Sequence, residues 1–261
     1  MHEIIETEGE FMKKLLAFTL AETLIVIGII GVVSALTLPN LNSSTGEKEK
    51  VAKVKKIYRD LNDAFGRAVA VYGPVDEWPA NSQKPDSNDS SDSTLLGQRL
   101  GEFMKVSKTC KYGNTTCFGN TITMGKSDGT LAYTNGYTVV LADGTSINFN
   151  EIPLNNCNEA QSASITDVCE SVAVTDTIHA ILVDIDGKQK GQNTLGEDVF
   201  PFVVAKSGIY PVFNDETDIL AAGGSMDACT KYGICTGWVI NNGNMDYKKC
   251  SVSWSGKKSC K

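Results

Sequence analysis

From Phe18 to Leu38 the chain is apolar at almost every position and carries one ionisable residue, Glu22. A run of this length matches the roughly 20 residues that an α-helix needs to cross the hydrocarbon core of a bilayer, and it predicts a transmembrane helix. Pro39 is expected to kink or end that first segment, because it lacks an amide donor and crowds the preceding turn. Beyond it the pattern changes. Val51, Val54, Ile57, Tyr58, Leu61, Ala64, Phe65, Ala68, Val69 and Tyr72 recur at steps of three and four, with lysine and aspartate between them. This is the spacing of a one-faced helix ending at Gly73 and Pro74. Together the segments predict one long helix, transmembrane over 18–38 and amphipathic over 39–73, whose stripe needs a sheet to cover it.

Residues 79–93, "PANSQKPDSNDSSDS", predict an exposed loop. Asp86, Asn88, Ser90 and Asp92 alternate there as calcium-loop ligands do, but the glycine and distal glutamate of that motif are missing. Short β patterns follow at 120–124, 137–149 with Asp143 and Gly144 as a hairpin turn, 179–185, and 199–213 turning at Ser207 and Gly208. They predict an antiparallel sheet in a mainly β domain over 74–261. The fold class expected is α+β, a long N-terminal helix packed on that sheet.

The formal net charge of -7 is spread through the chain without a basic block, so nucleic acid is not an expected partner. Lys13 and Lys14 precede the apolar run, and a denser cluster (Lys48, Lys50, Lys53, Lys55, Lys56) follows it. The nearer pair places the N-terminus in the cytoplasm and everything after Pro39 outside it, although the downstream cluster weighs against that orientation. All eight cysteines, Cys110, Cys117, Cys157, Cys169, Cys229, Cys235, Cys250 and Cys260, lie beyond the run. An even set in an exported domain predicts disulfides. Neighbours in sequence suggest local loops: Cys110 with Cys117, Cys157 with Cys169, Cys229 with Cys235, Cys250 with Cys260. No pair has zinc-knuckle spacing, and the histidines are His2 and His179 alone.

An ionisable group inside an apolar span marks a functional site, unless it snorkels to the interface. Glu22 stands in "AFTLAE", Ala17 to Glu22, after a lysine pair and before an unbroken apolar stretch. This resembles the processing site of type IV prepilins and of type II secretion pseudopilins. The resemblance implies cleavage between Ala17 and Phe18 by a prepilin peptidase, N-methylation of Phe18, and an assembly role for Glu22. The family usually has glycine before the cut, where Ala17 stands. Cleavage would create an ammonium in the apolar layer, which the Glu22 carboxylate of a neighbouring subunit can face, so that each buried charge has a partner. Residues 1–17 are then a leader. Its written start, "MHEIIETEGEF", is acidic, whereas a start at Met12 gives the short basic "MKKLLA"; both readings stay open. Gly28, Gly31 and Ser34 step along one side of the span, which suits close helix packing in lipid.

In "DIDGKQKGQNTLGEDVF", Asp184, Asp186 and Asp198 can supply hard oxygen ligands for calcium. The segment resembles a turn of pilin-like proteins, some of which bind calcium. An Asx-stabilised turn with glycines at positive φ is the structural alternative. "GWVINNGNMDYKKC", Gly237 to Cys250, also resembles the C-terminal segment of this pilin-like group. No nucleophile, Walker or zinc-protease motif is present, so no enzyme is expected.

The resemblance implies a single-pass subunit of the cytoplasmic membrane, with partners in membrane lipid, prepilin peptidase, an assembly machinery and other pilin subunits. Its destination is a pilus or a periplasmic pseudopilus. A soluble secreted disulfide-rich binding domain is the alternative, with "VSA", Val33 to Ala35, as an ordinary signal-peptidase site.

Overall fold

The computed structural model describes residues 19–78, 95–111, 114–119, 121–126, 129–132, 136–150, 177–188, 191–213 and 226–260. It divides into two compact units, Met1–Gly46 and Glu47–Lys261. Helix α1, Leu20–Tyr72, contributes to both. It runs through Pro39 without a break, so of the two expected outcomes, a kink or an end, the end is corrected: one lost backbone bond does not interrupt a helix with so many others.

In the first unit the large apolar side chains of α1 point outward on every side. Leu20, Leu24, Ile25, Val26, Ile27, Ile29, Ile30, Val32 and Val33 are 53–80% exposed. Among the described residues no helix is long and apolar enough to cross a membrane. The described side chains of the apolar run extend from Thr19 to Ser34, of which Leu20 to Ser34 make about 22 Å of helix at 1.5 Å per residue; Phe18 and the side chains of 35–38 lie outside them.

The second unit is α+β. Six strands form an antiparallel sheet in the order β1-β4-β5-β6-β7-β8, with β1 Val106–Cys110, β4 Tyr137–Leu141, β5 Ser146–Asn150, β6 Thr177–Asp184, β7 Val199–Ala205 and β8 Gly208–Pro211. A separate pair joins β2 Thr121–Thr123 to β3 Thr130–Ala132. Short helices α2 (Leu95–Gly101), α3 (Met226–Tyr232) and α4 (Thr236–Asn242) complete the unit. The α1 stripe, Val54, Ile57, Leu61, Ala64 and Ala68, packs in one cluster with Val139, Ile147, Phe149, Ile181, Val183, Phe200, Phe202 and Val204 of the sheet. Alternate residues of the same strands face the other way. There Leu182 and Val199 meet Phe118, Ile122, Met124 and Leu195, and Val203 meets Val212, Phe213 and Ile234. β7 is therefore buried along its whole length.

Helix α1 ends where its sequence expects. Gly73 takes φ +81° and its amide donates to the Val69 carbonyl at 3.0 Å, a termination that glycine accepts without steric penalty. Asp143 and Gly144 turn the β4–β5 hairpin, with Gly144 at φ +90° and the Thr145 amide donating to Asp143 Oδ1. The last hairpin turns at Lys206 and Ser207 instead of Ser207 and Gly208, since Gly208 already pairs with Ala205. Helix α1 also closes the free edge of β8. The Asn62 side-chain amide donates to the Ile209 carbonyl and accepts from the Ile209 amide, both at 3.1 Å, as a neighbouring strand would.

Candidate functional site

The N-terminus of α1 is built as a capping box. Thr19 precedes the first helical residue, and the Glu22 amide donates to Thr19 Oγ1 at 3.3 Å. In return, Glu22 Oε2 accepts from the Thr19 amide at 2.9 Å and from its hydroxyl at 2.8 Å. Reciprocal bonds of this kind satisfy amides that a helix start leaves without partners. The pattern was readable in the sequence as Thr-x-x-Glu ahead of an apolar run, and the expectation above did not use it. Glu22 is thus exposed and already engaged by its own chain, beside a surface of exposed isoleucine, leucine and valine. Ala17 and Phe18 lie outside the described residues.

The three aspartates singled out for calcium are brought close together, at the end of β6 and the start of β7. Asp184 is fully buried. Its Oδ1 accepts from the amides of Asp186, at 3.2 Å, and Gly187, at 2.8 Å. Its Oδ2 is buried without a hydrogen-bond partner. Burial first, then Asp186 beside it, raise the Asp184 carboxyl to about 7, against the pull of the two amides. Asp198 is 8% exposed and accepts from the Thr194 amide; burial raises it to about 6, with the Asp186 charge adding to the effect. Gly187 stands at φ +79°, and a Cβ there would lie 2.5 Å from the Gly144 carbonyl oxygen. These contacts are those of an Asx turn. Among the described residues no group of three or more His, Cys, Asp or Glu could hold a metal ion. Asp86, Asn88, Ser90 and Asp92 lie outside the described residues.

Three disulfides close local loops. Cys110–Cys117, Cys229–Cys235 and Cys250–Cys260 have Cα atoms 6.0, 5.0 and 5.8 Å apart. Cys157 and Cys169 lie outside the described residues, and none of the described cysteines is free. The last bridge is tied to the 3₁₀ turn Asp246–Lys248, where the Cys260 amide donates to Asp246 Oδ2 and the Cys250 amide to the Asp246 carbonyl. In the same segment Trp238 is fully buried, donates to Asn244 Oδ1 at 3.0 Å, and meets Trp254 edge-on at 5.1 Å. The residues of "GWVINNGNMDYKKC" named here therefore serve the core of the domain.

Three of the five lysines after the apolar run are paired with acids, on α1 itself or in the rest of the domain. Lys50 meets Glu197, Lys53 meets Glu49, and Lys56 meets both Asp60 and Asp143. Lys56 and Asp143 help to line a cleft of about 410 Å3 beside α1, with Asp60, Asp63 and Arg67 along one wall and Phe103 to Lys105 opposite.

No family model matches the chain, and no curated protein and no solved structure matches it.

Proposed function

We propose that the chain is a structural, pilin-like subunit, cut by a prepilin peptidase before Phe18 and assembled through its N-terminal helix into a type IV pilus or a type II secretion pseudopilus. The observation that carries this reading is the segment from Ala17 to Leu38, in which "AFTLAE" is followed by an apolar run with Glu22 as its single ionisable residue. Two further observations support it. Helix α1 starts at Leu20, the third residue after the position where the cut would fall, and its first turns are apolar on every side, as suits a helix surrounded by lipid or by other helices. Three of the five lysines that argued against an exported C-terminal part, Lys50, Lys53 and Lys56, are paired with acids, which agrees with placing that domain outside the cytoplasm, where disulfides persist.

In this reading the precursor sits in the cytoplasmic membrane with lipid around 18–38, and the second unit is the exported face. Glu22 exchanges its Thr19 bonds for the Phe18 ammonium of a neighbouring copy, or shares them with it. The partners are other pilin subunits, the peptidase and methyltransferase, and the assembly machinery; the reading requires no catalysis by the chain. Mass spectrometry of the mature amino terminus tests it. A chain beginning at N-methylated Phe18 is the expected result, and one beginning at Leu36, after an ordinary signal peptide, would overturn it.

A further inference from the structure

The second unit begins at Glu47, and lysines gather around its first helical turn. Glu197 takes two of them, Lys50 at 3.9 Å and Lys248 at 2.7 Å. Lys249 pairs with Glu47, and Lys53 with Glu49. Lys126 stands beside Lys248 and Glu197 on the wall of a pocket of about 210 Å3. Lys48 and Lys126 are exposed, and neither has an ion pair among the described residues. Six lysines thus meet three glutamates, which leaves a surplus of three positive charges at this end of a chain whose net charge is -7. Asp198, next to Glu197, is 8% exposed, and counting its carboxylate still leaves the surplus positive. Asp128 and the Asp227 side chain lie outside the described residues.

The chain itself limits how far this end stands from the apolar run. Leu38 closes that run nine residues before Glu47, and within α1 nine residues rise about 13.5 Å. The headgroup layer on one side of a bilayer takes up about 5–7 Å of that distance. The lysines therefore begin about 6–8 Å beyond it, inside the roughly 10 Å over which charges act at 0.1 M salt. Basic residues accumulate on the cytoplasmic side of a membrane helix, so a lysine surplus on the exported side calls for a partner there. A lipid surface of opposite charge is one.

From this we infer that the Glu47 end of the domain docks on the anionic phospholipid headgroups of the outer leaflet, with Lys48, Lys126 and Lys248 toward the phosphates. Each lysine close to a charged membrane favours binding about fivefold, so three surplus charges favour the docked domain about a hundredfold. The contact belongs to the subunit while it resides in the membrane, and it is lost when the subunit leaves the lipid. The inference rests on the membrane-spanning reading above.

Full-length chain is reconstituted into vesicles of phosphatidylcholine alone, or of equal parts phosphatidylcholine and phosphatidylglycerol. A brief pulse of a membrane-impermeant amine reagent follows, and labelling of each lysine is read by peptide mass spectrometry. Lys111, exposed beyond the end of β1, is the internal standard. Relative to it, labelling of Lys48 and Lys126 is expected to fall several-fold with phosphatidylglycerol present, and to recover at about 1 M salt, where the screening length is about 3 Å. Equal labelling in the two vesicles would overturn the inference, as would protection that survives salt. Protection in phosphatidylcholine alone that grows with protein density would overturn it too, because a second copy would then be the cover. Lys48→Glu with Lys126→Glu removes two cations that hold no ion pair, so the fold should be unaffected, and Lys248 and Lys249 should lose their protection. Both still protected in that variant would contradict the docking. Alkaline carbonate extraction separates the two failures: a chain that resists extraction without protected lysines overturns this inference alone, and a chain that is extracted removes the membrane-spanning reading and this inference with it.

Discussion

Replacing Asp184 by asparagine should make the domain more stable at alkaline pH, and the gain should vanish in acid. Asp184 lies fully buried with one oxygen unpartnered, and its carboxyl is raised to about 7 from an ordinary value of about 3.9. The folded chain therefore holds this proton more tightly than the unfolded chain. Stability is highest when both states are protonated, falls as pH rises from about 4, and levels off above about 7. At about 1.4 kcal/mol for each tenfold change in proton affinity, the charged group weakens the fold at pH 8 by on the order of 4 kcal/mol. Asp198, raised to about 6, acts with the same sign. Asparagine keeps the Oδ1 acceptor that the Asp186 and Gly187 amides use and carries no charge to desolvate. Thermal unfolding followed by near-ultraviolet circular dichroism, from pH 4 to 8, is the assay. A chain of this size shifts its midpoint by about 2–4 °C per kcal/mol, so Asp184→Asn should unfold about 8–16 °C above wild type at pH 8 and close to it at pH 4. Parallel curves for the two proteins would refute the reasoning. So would a wild type that calcium makes the more stable of the pair at pH 8, since the aspartates would then be holding a cation.

Asn62→Ala removes both bonds to Ile209 and leaves an edge amide and carbonyl unpaired; at about 1 kcal/mol for each bond, unfolding should come about 4–8 °C lower, and an unchanged midpoint would show that water replaces the amide at no loss. Reductant should also destabilise the domain, because removing a native bridge from a small exported domain typically costs about 2–5 kcal/mol; thiol counting after denaturation checks it, and free thiols at the positions of the three bridges in protein taken directly from the envelope would contradict the bridged form.

What could be read from the sequence depended on how local the determining physics is. The stripe from Val51 to Tyr72, the stop at Gly73 and the Asp143–Gly144 hairpin each rest on neighbouring residues, and all three are where the pattern puts them. β1 was missed because an edge strand with Ser107, Lys108 and Thr109 exposed lacks the apolar alternation that marks a strand. The pair β2–β3 is short, and only its first strand carries a β pattern. Helices α2, α3 and α4 are seven residues each, too short to show a helical period; Gly97 in α2 reads as a breaker, yet a Cβ there would meet Tyr137 at 2.5 Å and Phe149 at 2.8 Å. The burial of Thr138, Ser146, Asn148 and Asp184 on one side of the sheet depends on what covers them, which no local pattern encodes. At Glu22 the motif shows a resemblance to a processing site, while its capping geometry, equally local, went unread.

That geometry shapes the decisive measurement, because Glu22 has two separable properties. Valine at this position removes the charge and the capping bond together, whereas glutamine removes the charge and keeps an acceptor for the Thr19 amide and hydroxyl. Filament yield from Glu22→Val and Glu22→Gln, each normalised to processed subunit in the membrane, distinguishes them. The account predicts that both variants insert and are cut before Phe18, and that both fail to assemble or assemble slowly, since the neighbouring Phe18 ammonium loses its counter-charge in an apolar layer. Wild-type yield from Glu22→Gln would contradict it, and would leave Glu22 as the residue that starts a helix.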